Sequence, residues 1–239
     1  MTDVRWASEF DKERFQEAGL YDFDSFWNLE QSGASVEYKP VKQHYDRKTG
    51  RMKRQTTIVR LNRIRYYLKR ASGDSYKFLK NEFDTLRILP EFGFDTAKLL
   101  AYSLDDEKRR GFLIYKSLSG YNSLAELNGL LAPPEAIASF KVHKKEVMRR
   151  IASSVQTIHD ANYFYPDWNA SHIFVRKGSS EVVLIDLERF VHLKKCPWYY
   201  KYKVIRNYIR MKEWKKLRTA LGSKMYTKKF LGKLLRERN

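Results

Sequence analysis

Two aspartates, Asp167 and Asp186, lie at the two ends of a segment that has the pattern of a β-hairpin. Apolar and β-branched runs at 173–176 and 181–185 predict its strands, and the Gly-Ser-Ser sequence at 178–180 predicts the turn. Phosphoryl transfer uses two carboxylates, one to orient the attacking hydroxyl and accept its proton and one to hold Mg²⁺ on the phosphates of a nucleotide. A hairpin fixes the separation of two such groups, so the pattern indicates a phosphotransferase site.

Longer motifs surround both aspartates. Asp167 ends the run Ile158-His159-Asp160-Ala161-Asn162-Tyr163-Phe164-Tyr165-Pro166-Asp167, and Asp186 lies within Leu184-Ile185-Asp186-Leu187. In these motifs the chain resembles the lipopolysaccharide core kinase family, which includes Kdo kinases and heptose kinases of the WaaP type and is related to protein kinases. The resemblance extends over residues 56–235. It implies that Asp167 is the catalytic base and that Asp186 binds Mg²⁺.

Two further motifs extend this resemblance towards the N-terminus. Tyr67-Leu68-Lys69-Arg70 is similar to the strand whose lysine contacts the phosphates of ATP in the family, which implies that role for Lys69. Asn81-Glu82-Phe83 fits the helix that follows, whose glutamate pairs with that lysine, which implies Glu82. The implied cofactors are ATP and Mg²⁺. No Gly-x-Gly-x-x-Gly motif precedes Lys69, so the residues that would cover the phosphates are not identified.

Several positions depart from the protein-kinase pattern. Tyr165-Pro166 replaces His-Arg, so we infer no switch driven by a phosphorylated activation loop, and Leu187-Glu188 replaces the Phe-Gly that follows the metal-binding aspartate. His172 stands where protein kinases have a metal-binding asparagine, and heptose kinases of the family tend to have histidine there. Imidazole is a poor ligand for Mg²⁺, which prefers oxygen donors. We therefore expect His172 to contact the nucleotide site or to brace the loop, and Asn169 is a second candidate ligand.

The elements that would position these residues fall into two groups. A β-rich N-lobe is predicted at 1–116 and a mostly helical C-lobe at 117–239, which together would form an α+β, bilobal protein-kinase-like fold with one main helix in the N-lobe. The pattern predicts an irregular or partly helical lead-in at 8–32 and, outside the catalytic hairpin, four strands at 56–61, 64–69, 98–103 and 111–115. It also predicts a connector at 117–123 and four helices at 75–89, 142–161, 204–221 and 228–237.

Composition restricts the cellular setting. Cys196 is the single cysteine, so no internal disulfide is expected. The first twenty residues contain five acids and no apolar core of a signal peptide, and no run approaches the roughly 18 apolar residues that span a bilayer. We therefore expect a protein of the reducing cytoplasm that does not cross a membrane.

The net charge of +19 is concentrated near the C-terminus, because residues 194–239 contain 16 Lys and Arg against two acids and so carry +14. Such a segment favours anionic partners, although a solvated helix face would look the same. Interleaved aromatic residues, Trp198 and Tyr202 among them, suit the headgroup region of an anionic membrane. Nucleic acid would use the same features, but the kinase resemblance favours the membrane.

The sequence therefore predicts an ATP-dependent kinase that phosphorylates a sugar hydroxyl of the lipopolysaccharide inner core at the cytoplasmic face of the inner membrane. The sugar is either heptose or Kdo, and the pattern does not choose between them. One alternative is a small-molecule phosphotransferase of the aminoglycoside or choline kinase type, which would share Lys69, Asp167 and Asp186. The other is a catalytically inactive kinase fold that serves as a basic binding module.

Overall fold

The computed structural model describes residues 3–46, 49–50 and 52–220, which divide into two compact units. The first unit consists of Met1–Phe83 and Ala97–Leu118, and the second consists of Asp84–Thr96 and Ser119–Asn239. Within the described ranges, no helix is both long and apolar enough to cross a bilayer. The lobe boundary after residue 116 stays a prediction.

The strands are numbered in chain order. They are β1 (Arg5–Trp6), β2 (Glu37–Tyr45), β3 (Met52–Leu61), β4 (Ile64–Ser72), β5 (Asp95–Thr96), β6 (Leu99–Asp105), β7 (Arg110–Lys116), β8 (Tyr121–Ser123), β9 (Tyr163–Phe164), β10 (Ile173–Arg176), β11 (Val182–Leu184) and β12 (Val191–His192). The α-helices are α1 (Glu9–Glu17), α2 (Phe23–Trp27), α3 (Tyr76–Ile88), α4 (Leu124–Asn128), α5 (Pro134–Asp160) and α6 (Lys203–Ala220).

The first unit is built on a six-stranded antiparallel sheet in the order β1-β6-β7-β4-β3-β2. Its central hairpin, β3 and β4, turns at Asn62 and Arg63, which both have positive φ, 51° and 65°. This is the conformation that a tight two-residue hairpin requires, because it matches the twist of the strands. The predicted hairpin at 56–69 and the predicted strands at 98–103 and 111–115 are confirmed.

The lead-in at 8–32 is more ordered than the sequence indicated, because it forms α1 and α2 and contributes to the core of the first unit. Phe15 and Phe26 are almost fully buried, and their rings contact Tyr66 on β4 and Phe112 on β7. Aromatic rings bury large areas of apolar surface and therefore dominate core energetics. The periodicity was hidden because these helices are short and mix acids with the apolar residues.

Arg70, on β4, is 1% exposed and ties this helical lead-in to the sheet. Its guanidinium donates hydrogen bonds to Glu30 (2.5 Å), Gln55 (2.7 Å) and the carbonyl of Trp27 (2.6 Å). A buried charge is tolerated only when it is paired and hydrogen-bonded, and this one has both kinds of partner. Burial opposes ionisation of Glu30, but the hydrogen bond and charge of Arg70 outweigh it, and the pKa of Glu30 is lowered.

The second unit contains a four-stranded sheet in the order β5-β11-β10-β8 and a separate pair, β9 with β12. β10 and β11 are antiparallel, with Ile173 opposite Leu184 and Val175 opposite Val182, which confirms the predicted hairpin. The segment 117–123 was expected to be a connector. That expectation is wrong for its last three residues, which form β8 against β10, and the reason is that three residues give no readable periodicity.

Helix α5 provides the largest buried face of the second unit. Val147, Ile151, Val155 and Ile158 are fully buried, as their spacing predicts. The helix begins at Pro134 rather than at 142, so the predicted start is wrong. Proline suits the first helical turn because its missing N–H would have no partner there. The exposed residues near 141–145 weaken the apolar pattern in that part of the helix.

Helix α6 is anchored by a buried contact to the end of α5. His159 Nε2 lies 2.6 Å from Glu213 Oε2, and both side chains are almost completely buried. Leu217, one turn later, is fully buried as well. The helix predicted at 204–221 is confirmed up to Ala220, and the one predicted at 228–237 lies outside the described residues.

Glu30→Gln is expected to lower the free energy of unfolding at pH 7 by about 2 kcal/mol, because it removes the charged partner of a buried guanidinium. Since the folded pKa of Glu30 is lowered, its contribution is present above the unfolded pKa of 4.5 and disappears as the pH falls through the folded value. The stability difference from wild type in urea titrations should therefore shrink below pH 4.5.

Glu37→Gln is the matched control, because Glu37 pairs with Arg60 at 3.6 Å on an exposed surface. An exposed pair contributes about 0 to 1 kcal/mol. Equal stability of Glu30→Gln and wild type at pH 7 would show that the ion pair between the buried Arg70 and Glu30 does not hold the lead-in to the sheet.

Candidate active site

Lys69 and Glu82 form an ion pair within the first unit. Lys69 Nζ lies 2.7 Å and 2.9 Å from the two carboxylate oxygens of Glu82, and Tyr115 on β7 donates its hydroxyl to the same carboxylate at 3.2 Å. Glu82 is 4% exposed. A buried carboxylate that accepts several hydrogen bonds is held in place and in turn orients the ammonium group.

The sheet explains why Lys69 keeps its position. It lies on β4, an interior strand, where its backbone is opposite Thr56 on β3 and Leu113 on β7. Strands paired on both sides have little freedom to shift, because a slip of one residue would move every side chain to the other face. The structure thus brings together the lysine and the glutamate that the sequence paired, and their contact with nucleotide phosphates stays a prediction.

Asp186 lies two residues after the end of β11 in the second unit. Its backbone is left-handed, with φ 60° and ψ 52°, a conformation that aspartate tolerates better than most residues. The buried Tyr165 donates to the carbonyl oxygens of Ile185 (3.1 Å) and Asp186 (3.2 Å), and the N–H of Ile185 donates to the carbonyl of His172 (3.1 Å). Three hydrogen bonds therefore fix the backbone that presents this carboxylate.

Asp167 lies in the loop between β9 and β10, together with Tyr165, Trp168 and Asn169. We call residues 165–172 the catalytic loop. Arg189 donates to Asp167 Oδ1 at 3.1 Å, and sequence reasoning did not identify this partner. The signal for it was weak, since Arg189 is 22 residues further along the chain and only the fold brings it to the loop.

His172 links the two aspartates. Its Nδ1 lies 3.3 Å from the carbonyl oxygen of Asp167, which suits an Nδ1–H donor, and its Nε2 lies 3.6 Å from Asp186 Oδ2. The imidazole therefore occupies the space between the loop and the end of β11. This geometry agrees with the expectation that His172 braces the loop, and its contact with a nucleotide stays a prediction.

Asn169, the other candidate ligand, is engaged locally. Its side-chain oxygen accepts a hydrogen bond from the N–H of Ser171 at 3.1 Å and so caps the short 3₁₀ turn at Ala170–His172. Capping satisfies a backbone donor that the turn would otherwise leave without a partner. Metal coordination by Asn169 stays a prediction.

Further functional candidates appear only in the structure. Glu188 offers a carboxylate oxygen within 4.8 Å of one from Asp186, so the two acids could share a divalent cation through the oxygen donors that Mg²⁺ prefers.

A cavity of about 540 Å³ also opens beside the catalytic loop, and Lys215, Lys216 and Thr219 of α6 line its other side. The sequence did not identify these three residues as part of the site, because they are far from the catalytic loop along the chain.

The fold is similar to solved kinase-like structures. "WaaP in complex with acyl carrier protein" matches with a TM-score of 0.60 and 17% identity, over 99% of this chain and 89% of that chain. The kinase PK-1 of the Cydia pomonella granulovirus matches at 0.45 and 14% identity, over 68% and 57%. The autoinhibited serine kinase domain of titin matches at 0.41 and 14% identity, over 65% and 46%. The predicted α+β, protein-kinase-like fold is confirmed.

A comparison of the sequence with curated proteins found no match. A family model does match, that of the "Lipopolysaccharide kinase (Kdo/WaaP) family", at residues 27–197. This range contains Lys69, Glu82, the whole catalytic loop and Asp186. Because the match covers most of the chain, the protein belongs to the lipopolysaccharide kinase (Kdo/WaaP) family and is a phosphotransferase.

Proposed function

We propose that the protein transfers the γ-phosphate of ATP to a sugar hydroxyl of the lipopolysaccharide inner core, either of heptose or of Kdo. The observation that carries the proposal is the His172 link, which holds Asp167 and Asp186 at the two ends of one hairpin. Family membership supports a lipopolysaccharide core acceptor over the small molecules of aminoglycoside or choline kinases. Family membership also disfavours the alternative of a catalytically inactive kinase fold that serves as a binding module.

Each polar group has a proposed role. Asp167 Oδ1 is engaged by Arg189, so we assign Oδ2 to the acceptor hydroxyl, from which it takes the proton as the oxygen attacks the γ-phosphorus. The bond between the γ-phosphorus and the bridging oxygen then breaks, and ADP leaves. Lys69, oriented by Glu82, binds phosphate oxygens. Asp186, with Glu188 beside it, would hold Mg²⁺, which neutralises phosphate charge when bound.

The test is phosphate transfer from radiolabelled ATP to purified inner-core oligosaccharide, compared with free heptose, free Kdo, an aminoglycoside, choline and no acceptor. Label in the oligosaccharide supports the proposal, and mass analysis of the product identifies the sugar. Label in choline or the aminoglycoside alone would refute it.

Asp167→Asn and Asp186→Asn are each expected to lower kcat by about 10²- to 10⁴-fold, because one removes the proton acceptor and the other a metal ligand. Both substitutions preserve side-chain shape, so the melting temperature should change little. Asp160→Asn is the matched control, since Asp160 is exposed at the end of α5 and accepts a hydrogen bond from Gln156 in the same helix. Values within a few-fold of wild type for either loop variant would refute the assigned roles.

Lys69→Met and Glu82→Gln are each expected to lower kcat/KM, and the double variant should lose no more than the worse single variant. The reason is that Glu82 acts only through the ammonium that it orients. Lys80→Met and Asp106→Asn are the control pair, because this contact at 2.6 Å is exposed and joins residues without a proposed role. Additive losses for Lys69 and Glu82 would show that the two do not act as a unit.

We also propose that the protein docks peripherally on the anionic, cytoplasmic face of the inner membrane. The described part of the basic C-terminal segment, 194–220, exposes apolar side chains among its cations. Trp198 is 68% exposed and Val204 is 79% exposed, and Lys194, Lys195 and Lys203 are exposed nearby in sequence. Aromatic and basic side chains together suit the headgroup region of such a membrane.

Replacing Lys194, Lys195 and Lys203 together with Gln is expected to weaken binding to vesicles that contain phosphatidylglycerol. At about 1 kcal/mol for each charge, the loss is on the order of 100-fold. Binding of the wild type should be weak to neutral vesicles and largely reversed by 1 M salt, since the Debye length then falls to about 3 Å. Lys141, Lys145 and Lys177, replaced together, provide the charge-matched control.

The acyl carrier protein in the WaaP structure defines the alternative partner. If the protein did not bind anionic vesicles at low salt but bound purified acyl carrier protein or single-stranded nucleic acid, the membrane proposal would be wrong.

A further inference from the structure

The cavity beside the catalytic loop belongs entirely to the second unit. Asp167, Trp168 and His172 line one side, and Lys215, Lys216 and Thr219, from the last turns of α6, line the other. Its volume of about 540 Å³ falls within the range of small-ligand sites. A sugar bound there would lie next to the carboxylate that we assign as the proton acceptor.

The α6 side of the cavity carries positive charge that its own helix does not neutralise. In the part of α6 that the structure describes, Glu213 is the only acid, and it is buried against His159. Neither Lys215 nor Lys216 forms an ion pair with a carboxylate among the described residues, and Lys216 donates to the carbonyl of Pro166 in the loop. Asp167, the acid on the other side, is paired with Arg189. The cavity therefore favours an anion.

Trp168 contributes a buried indole ring to the wall of the cavity. The residue is 3% exposed, yet its indole Nε1 has no hydrogen-bond partner among the described residues. A buried donor without a partner is rare and costs about 1 to 3 kcal/mol.

We propose that this cavity is the acceptor subsite and that Lys215 and Lys216 bind an anionic group of the acceptor, either a sugar carboxylate or a phosphate on a neighbouring sugar. The inference rests on the proposed function and specifies its substrate as an anionic saccharide. Binding the anion at α6 orients the saccharide, so that a hydroxyl meets Asp167, and orientation of this kind is a large part of the rate gain available to a phosphotransferase.

The double variant Lys215→Gln, Lys216→Gln tests the proposal. Since hydrogen bonds to charged groups typically contribute about 1.5 to 3 kcal/mol, the KM for inner-core oligosaccharide should rise about tenfold or more. The KM for ATP should stay within about twofold, because the lysines are assigned to the acceptor. The double variant Lys203→Gln, Lys212→Gln is the matched control: it removes the same two charges from α6, at positions that do not line the cavity.

Two modified acceptors distinguish the anions. One is the oligosaccharide with its carboxylates reduced to alcohols, and the other is the oligosaccharide after phosphatase treatment. For the acceptor that lacks the recognised anion, the affinity of wild type should fall to the affinity of the double variant for the untreated oligosaccharide. The affinity of the double variant should be the same for that modified acceptor as for the untreated oligosaccharide. Equilibrium binding is measured by calorimetry in the Asp167→Asn background, so that turnover does not interfere.

The outcomes separate the two proposals. If wild type phosphorylates the oligosaccharide but the double variant keeps the same acceptor KM and binding constant, the subsite is refuted and the proposed function stands. A rise in the KM for ATP alone would also refute it, by assigning the lysines to the nucleotide. If wild type transfers no phosphate to any inner-core acceptor and binds none in calorimetry, both proposals fail.

Discussion

The antiparallel pairing of β10 with β11 determines where both aspartates of the second unit lie. Asp167 lies in the catalytic loop before this hairpin, and Asp186 lies two residues after its second strand. His172 and Tyr165 then join the two ends through hydrogen bonds to backbone carbonyls. Two carboxylates repel each other, so their positions have to be imposed by backbone hydrogen bonds and packing.

Buried charged groups recur in each of the two units. Arg70 is held by Glu30, Gln55 and a backbone carbonyl, and Lys69 on the same strand is held by Glu82. In the second unit, Glu213 and His159 join α6 to α5. Such contacts add little net stability compared with apolar packing, but they allow few alternative arrangements, because any shift leaves a buried polar group without a partner.

Local patterns in the sequence predicted local structure well. The hairpin at Asn62-Arg63, the buried face of α5 and the strands around residues 173–184 follow from alternation, turn residues and helical spacing, which neighbouring residues determine. The lead-in, predicted to be irregular or partly helical, forms α1 and α2. The start of α5 and strand β8 were missed, because their formation depends on packing against distant segments. Arg189, Lys215 and Lys216 were missed for the same reason, since only the tertiary fold brings them to the catalytic loop.

The left-handed backbone of Asp186 restricts which residues could ever replace it. In this conformation a residue with a Cβ carries a steric penalty of about 1 to 2 kcal/mol, from which glycine is exempt and asparagine and aspartate are partly relieved by local hydrogen bonding. The backbone and the proposed metal chemistry therefore favour the same side chain for unrelated reasons. A descendant of this protein that had lost its activity would still be expected to carry Asp, Asn or Gly at this position, so identity at residue 186 is by itself a poor guide to whether a homologue is active.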